Sequence, residues 1–258
     1  MLQQTQTARV AEKLPGFLKQ FPTVTALAQA PRTAAIRAWH GMGYNRRAVH
    51  LHECAKHIYK NGGEFPRKTD SLVQLPGIGR YTASAIACFA HGQRVPVVDV
   101  NIRRVLSRVI QKQTDLHTVL DEREIWNIAE ALLPHKKFYE WNQALMDIGA
   151  TLCLKRSARC GECPLRTLCA SAKTLTNKSA AVQPKKREPM HNGIPNRIWR
   201  GKVVEVLRKK KIATLSSIGK AIIPQFTADE MPWLETIVAG LVRDGLVTTN
   251  KKKVSLAR

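Results

Sequence analysis

Four cysteines crowd one short stretch, CLKRSARCGECPLRTLC: Cys153, Cys160, Cys163 and Cys169, separated by six, two and five residues. Clustered cysteines in a reducing compartment read as metal ligands before disulfides. Zinc sites usually set two short pairs apart by a long arm. Here only Cys160 and Cys163 form a short pair, and the other two lie close on either side. A compact loop of four thiolates suits a cubane iron–sulfur cluster. Lys155, Arg156 and Arg159 fall between the first two cysteines, where they either meet phosphate or stay solvated. Cys54 and Cys88 stand alone in apolar helical patterns and read as small buried hydrophobes.

Two further stretches carry chemistry. In VPVVDVNIRRVLSRVI, Asp99 ends an apolar run and precedes a helix that begins near Asn101. Asp before a helix is a common cap. The same position fixes a carboxylate at a helix N-terminus, where it can stabilise a developing cation. In LPGIGRYTASAIACFA, the turn from Leu75 through Gly77 to Gly79 lies between two helical patterns. Glycines there allow positive φ and leave backbone N–H groups available to a phosphate oxygen. An ordinary helix–helix turn is the alternative. The position after LP and before a small-residue helix gives it the form of a helix-hairpin-helix, which grips the DNA backbone without reading sequence.

The elements that position these residues are almost all helices. VTALAQA, TAAIRAWHGMG, RRAVHLHECAKHIYKNGG, YTASAIACFAHG, NIRRVLSRVI, REIWNIAEALLP and YEWNQALMDIGATLC repeat apolar residues at helical spacing. Residues 1–171 therefore form one mainly α domain, with the cysteine loop at 153–169. The opening MLQQTQTARV places Leu2, Val10 and Leu14 at helical spacing without a cap, and reads as the back half of a helix. Residues 172–195 are basic and rich in Pro and polar residues, as a linker would be.

Residues 196–258 form a second, small domain. RIWRGKVVEVLRKKK, TLSSIGKAI and DEMPWLETIVAGLVRDG read as three helices, and LVTTNKKKVSL alternates as a hairpin. Three helices and a basic hairpin make a winged-helix-like unit. Lys251, Lys252 and Lys253 at the hairpin tip favour DNA contact. A packing or dimerisation module is the competing reading.

The chain of 258 residues carries a formal net charge of +23 at pH 7, with 42 Lys and Arg against 19 Asp and Glu. Such an excess suits a polyanion, since each phosphate contact releases counterions. No run of about 18 apolar residues is present to span a bilayer, and no signal peptide opens the chain. The expected setting is cytoplasmic and nucleoid-associated, as a monomer on double-stranded DNA.

LPGIGRYTASAIACFAHGQRVPVVDVNIRRVLSR, WNQALMDIGATLC and the cysteine spacing resemble the helix-hairpin-helix DNA glycosylase superfamily. MLQQTQ and GMGYNRRAVHLHECA are similar to the MutY-type adenine DNA glycosylases. The resemblance covers residues 1 to about 175 and implies a base excision repair enzyme. Such an enzyme removes adenine mispaired with guanine or 8-oxoguanine by hydrolysing the N-glycosidic bond. It implies that Asp99 stabilises an oxocarbenium-like sugar and that Asn101 supports Asp99. Tyr81 stands where endonuclease III relatives place a nucleophilic Lys. A phenol forms no Schiff base, so the implied action is base excision without strand cleavage. Gln143 matches a contact to the flipped adenine. Leu2, Gln3, Gln4, Thr5 and Tyr44 match residues that enter the duplex and contact the opposite base. Cys153, Cys160, Cys163 and Cys169 match the ligands of a [4Fe-4S] cluster. A thymine or uracil mismatch glycosylase of the same superfamily, or a DNA-binding homologue with impaired catalysis, are the alternatives.

Departures from the family pattern are also present. Val100 follows the catalytic Asp where family members usually have Gly, and the winged-helix-like unit stands in place of a Nudix-like domain. The family places a catalytic Glu just ahead of the position of Met1. The expectation is therefore a start upstream of Met1, and poor adenine excision by the chain as written.

Overall fold

The computed structural model describes residues 1–113, 117, 119–176, 188–251 and 253–258. The N-terminal helices are α1 (Thr7–Gln20), α2 (Val24–Gln29), α3 (Arg32–Ala38) and α4 (Arg46–Lys60). Thr23 starts α2 by accepting from Ala26 N at 3.0 Å, as Ser and Thr caps do. Residues 1–6 are not helical. They form an irregular turn with Gln4 at φ +56°, and α1 begins only after Gln6, in extended backbone. The expected half-helix is corrected to a turn followed by a helix with its own start.

The middle of the chain holds α5 (Thr69–Val73), α6 (Arg80–Ala85), α7 (Val100–Ile110), α8 (Glu122–Ala131), α9 (Phe138–Thr151) and α10 (Ala172–Leu175). A π-helical turn, Ile86–Ala90, continues α6. Asp121 caps α8 through Glu124 N at 2.9 Å. Ile102, Val105 and Leu106 of α7, Ile125 and Trp126 of α8 and Leu145 of α9 share one buried core.

The C-terminal segment has the winged-helix order. After the two-residue strands β1 (Met190–His191) and β2 (Ile194–Pro195) come α11 (Asn196–Lys209), β3 (Ala213–Thr214), α12 (Leu215–Ile222), α13 (Met231–Arg243), β4 (Val247–Asn250) and β5 (Lys253–Leu256). The sheet order is β3-β5-β4, all antiparallel. A Thr214–Ser217 capping box starts α12. Lys251 takes φ +53° in the hairpin turn, and Lys252 lies outside the described residues. Most of the segment expected as a linker, residues 177–187, also lies outside them. Its ends are built: α10 at one, and at the other a tight hairpin whose His191 ring stacks on Trp233 at 3.8 Å.

Packing does not follow chain order. One compact unit gathers Met1–Phe65 with the segment from Lys185 to Arg258, and the other is Pro66–Pro184. The first forms because Ile36 and Val49, on α3 and α4, join the same buried core as Val203, Leu207 and Leu241. No helix among the described residues is long and apolar enough to cross a membrane.

Candidate active site

In the unit Pro66–Pro184, the residues around Asp99 form one connected structure. Asp99 is the N-cap of α7, with extended backbone. Its Oδ1 accepts from Asn101 N at 2.9 Å and Ile102 N at 2.7 Å. Its Oδ2 accepts from Asn101 Nδ2 at 2.9 Å. Three donors leave the carboxylate one orientation, at the positive end of an 11-residue helix. Asn101 is held in turn, its Oδ1 accepting from Arg104 Nη2 at 3.0 Å. Arg104 also donates from Nη2 to Gly149 O at 2.7 Å and from Nε to Cys153 O at 2.8 Å. Hydrogen bonds thus run without a gap from Asp99 to the start of the cysteine loop. Val100 is 77% exposed.

The segment that delivers Asp99 is stapled by Asn142, which is buried in α9. Its Oδ1 accepts from Val97 N at 3.0 Å, and its Nδ2 donates to Val95 O at 3.2 Å and Phe138 O at 2.9 Å. A side-chain amide that satisfies one backbone donor and one carbonyl of the apolar run ties that run to α9. Gln143, its neighbour in α9, is half-buried.

Tyr81 lies in the first turn of α6 and is half-buried. Burial, and then the negative charge of Asp99, push its phenol above the usual range, so it stays protonated at neutral pH. The turn before it has Gly77 at φ +77°, and no side chain caps α6 at Gly79. Leu75, grouped with the DNA-facing residues from sequence, is 3% exposed. Its side chain anchors the turn from within, and Gly77 and Gly79 are exposed. Arg80 lies over the Trp126 ring at 4.0 Å, which ties the start of α6 to α8.

The four loop cysteines line one cavity together with Arg108 and Arg159. Arg108 Nη1 stands 3.3 Å from Cys153 Sγ, and Cys169 Sγ donates to Arg108 O at 3.2 Å. Burial is the first cause that raises the Cys160 and Cys169 thiols, and the neighbouring loop thiols raise both further. A metal would have to displace those protons. Among the described residues no three His, Cys, Asp or Glu side chains form a group that could hold a metal ion. The donor set nevertheless fits an iron–sulfur cluster. It is all sulfur, arginine balances its charge, and a cubane takes each thiolate on a different iron rather than drawing four to one point.

In the other unit, Leu2, Gln3, Gln4, Thr5 and Tyr44 are brought together by a residue that sequence reasoning missed, Arg47. Its Nη1 donates to Met1 O at 2.9 Å and to Gln3 O. Its Nη2 donates to Thr5 Oγ1 at 2.6 Å and Met42 O at 3.1 Å. The guanidinium also sits over the rings of Trp39 and Tyr44, at 5.2 and 5.6 Å. Leu2 is 61% and Tyr44 59% exposed, so both apolar tips face outward from a fixed base. Arg104, Asn142 and Gly149 were missed as well. Each reads locally as an ordinary helix residue.

The family model for HhH-GPD superfamily base excision DNA repair protein matches residues 1–131. The chain is 39% identical over 251 residues to the adenine DNA glycosylase of Mycobacterium tuberculosis (strain CDC 1551 / Oshkosh), covering 96% of this chain and 79% of that protein. It is 40% identical over 171 residues to the human adenine DNA glycosylase, covering 66% of this chain and 31% of that protein. Among solved structures, a thermostable thymine-DNA glycosylase superposes with a TM-score of 0.60 at 27% identity, over 67% of this chain and 80% of that one. A non-covalent endonuclease III–DNA complex gives 0.58 at 24% identity, over 66% and 78%, which shows the shared fold.

Proposed function

The chain belongs to the HhH-GPD superfamily of base excision DNA repair proteins and, within it, to the adenine DNA glycosylases, and from that premise we propose how its residues act. The protein removes adenine opposite guanine or 8-oxoguanine. The observation that carries the chemistry is Asp99, held by three hydrogen bonds with its charge felt at Tyr81. An enzyme that works on a base takes it out of the stack. As the bond between C1′ and adenine N9 breaks, positive charge develops on the sugar. The Asp99 carboxylate, fixed before the reaction, stabilises that charge at no cost of reorganisation. Water adds to C1′; its proton leaves with the adenine, and an abasic site remains. Gln143 contacts the extruded base. Gly77 and Gly79 grip the phosphate backbone, while Leu2, Gln3, Gln4, Thr5 and Tyr44 read the opposite base.

Tyr81 makes the reaction stop at the abasic site. It has no amine to attack C1′, so no imine forms and no strand is cut. The expected result in single turnover, with protein in excess, is slow release of adenine from A:8-oxoguanine and A:G duplexes. The strand should stay whole until alkali is added, and borohydride should trap no protein on DNA. Excision of thymine from T:G or uracil from U:G, with adenine untouched, would move the protein to the mismatch glycosylases. Borohydride trapping would show an amine nucleophile that this reading lacks.

Cys153, Cys160, Cys163 and Cys169 would hold a [4Fe-4S] cluster. Bound there, it would supply a covalent cross-link that closes the loop after α9. Purified protein is expected to be brown, with about four irons per chain as a Cys₄ cubane requires. Cys54→Ser and Cys88→Ser should keep the colour, because both cysteines are buried elsewhere. Stoichiometric zinc without visible absorbance would overturn the assignment.

A further inference from the structure

The sequence of the winged-helix segment favours DNA contact over a packing role, and two features of the structure support packing: helix α13 and the docking on α3 and α4. Helix α13 has the place of a recognition helix, but MPWLETIVAGLVR holds a single cation, Arg243, and its exposed positions include Glu235, Thr236 and Ala239. A base- or phosphate-reading helix needs more donors than that. Instead the segment spends one face on α3 and α4. Beyond the shared apolar core, Arg208 at the end of α11 is 9% exposed. Its Nε and Nη2 donate to Ile36 O at 3.2 and 3.0 Å. Nη2 also donates to Asn45 Oδ1 at 2.9 Å, and Nη1 donates to Glu205 Oε2 at 2.9 Å. Glu205 pairs with His40 Nδ1 at 3.0 Å, and Arg37 Nη1 donates to Arg208 O.

These contacts frame the loop from His40 to Asn45. Within it Gly41, Gly43 and Tyr44 have φ of +79°, +67° and +43°. Two glycines give the loop little stiffness of its own, and a left-handed aromatic residue persists only where its surroundings impose it. Arg47 holds the loop from within α4. Asn45, next to Tyr44, makes no side-chain cap for α4, and its carboxamide goes to Arg208. We propose that the C-terminal segment is an internal brace, in which Arg208 is a positioning residue that sets Tyr44 for reading the opposite base. This inference rests on the adenine-glycosylase reading above.

Binding of the full chain measures it without catalysis. The duplexes carry 2′-fluoro-deoxyadenosine, whose fluorine disfavours the sugar cation, opposite 8-oxoguanine, guanine or thymine. Wild type should bind the first two more tightly than the third. Arg208→Met should reduce that preference roughly tenfold, the size of one charge-assisted hydrogen bond. Asn45→Ala removes only that bond from the loop side, so it tests the idea even if Arg208→Met folds badly. Ile218→Ala opens a cavity in the core of the segment and removes no acceptor of Arg208; it should lower the melting temperature yet keep the preference. A preference unchanged in both Arg208→Met and Asn45→Ala would overturn the brace. So would an equal loss in Ile218→Ala, which would make the effect one of stability. A wild type with no preference at all would instead bring down the adenine-glycosylase reading, and the brace with it.

Discussion

Asp99→Asn is expected to fold, bind DNA and fail to excise adenine. The substitution separates two functions of one side chain. As an N-cap, Asn is about as good as Asp, and the retained oxygen still accepts from Asn101 N and Ile102 N. The new amide faces Asn101 Nδ2, donor against donor, so one hydrogen bond is lost at about 1 kcal/mol. Stability and affinity for the backbone should therefore change little. The transition state alone carries the sugar cation, and only the negative charge answers it. Removing one preorganised electrostatic partner typically costs ~10²–10³-fold, and losing a full charge should reach at least that range. Single-turnover excision, anisotropy on the same duplex and a thermal melt measure the three quantities. An excision rate within tenfold of wild type would assign Asp99 to capping alone.

The sequence made local features legible and left long-range ones hidden. Asp99 before a helix, the glycines at 77 and 79, and the four cysteines all announce themselves through type and near spacing. The winged-helix order was legible for the same reason, since caps and alternation are local signals. Arg104 was not, because α7 shows it as one more arginine on an amphipathic helix. Its meaning comes from Gly149 O and Cys153 O, which are far away in the chain. Arg47 was hidden in the same way: in NRRAV it reads as a solvated face, and its acceptors lie on two separate loops. The docking of α11 on α3 could not be foreseen either. Ile36 and Val203 each fit a private core within their own segment, and periodicity does not say which apolar faces meet.

Gly149→Ala is expected to cost more activity than stability, and the magnitudes say why. Gly149 lies in α9 with ordinary helical backbone, where Ala would stabilise by about 1 kcal/mol in an open setting. The setting is closed. A Cβ at 149 would stand 2.8 Å from Asn101 Cβ and 3.3 Å from its carbonyl carbon. Backbone lies behind that side chain, so α7 and α9 must part. Overpacking of this kind costs about 1–3 kcal/mol, which leaves a net loss of roughly 0–2 kcal/mol once the helix gain is counted. The geometry suffers more. Asn101 is both the donor to Asp99 Oδ2 and the acceptor from Arg104, and Gly149 O is itself an acceptor for Arg104. A displacement approaching 1 Å at such a point can lower a rate ~10²-fold. The variant should therefore melt close to wild type, bind the same duplex, and excise adenine about a hundredfold more slowly. Excision within twofold of wild type would show that α9 can retreat without moving Asn101, and that the chain of hydrogen bonds from Asp99 to Cys153 does not set the rate.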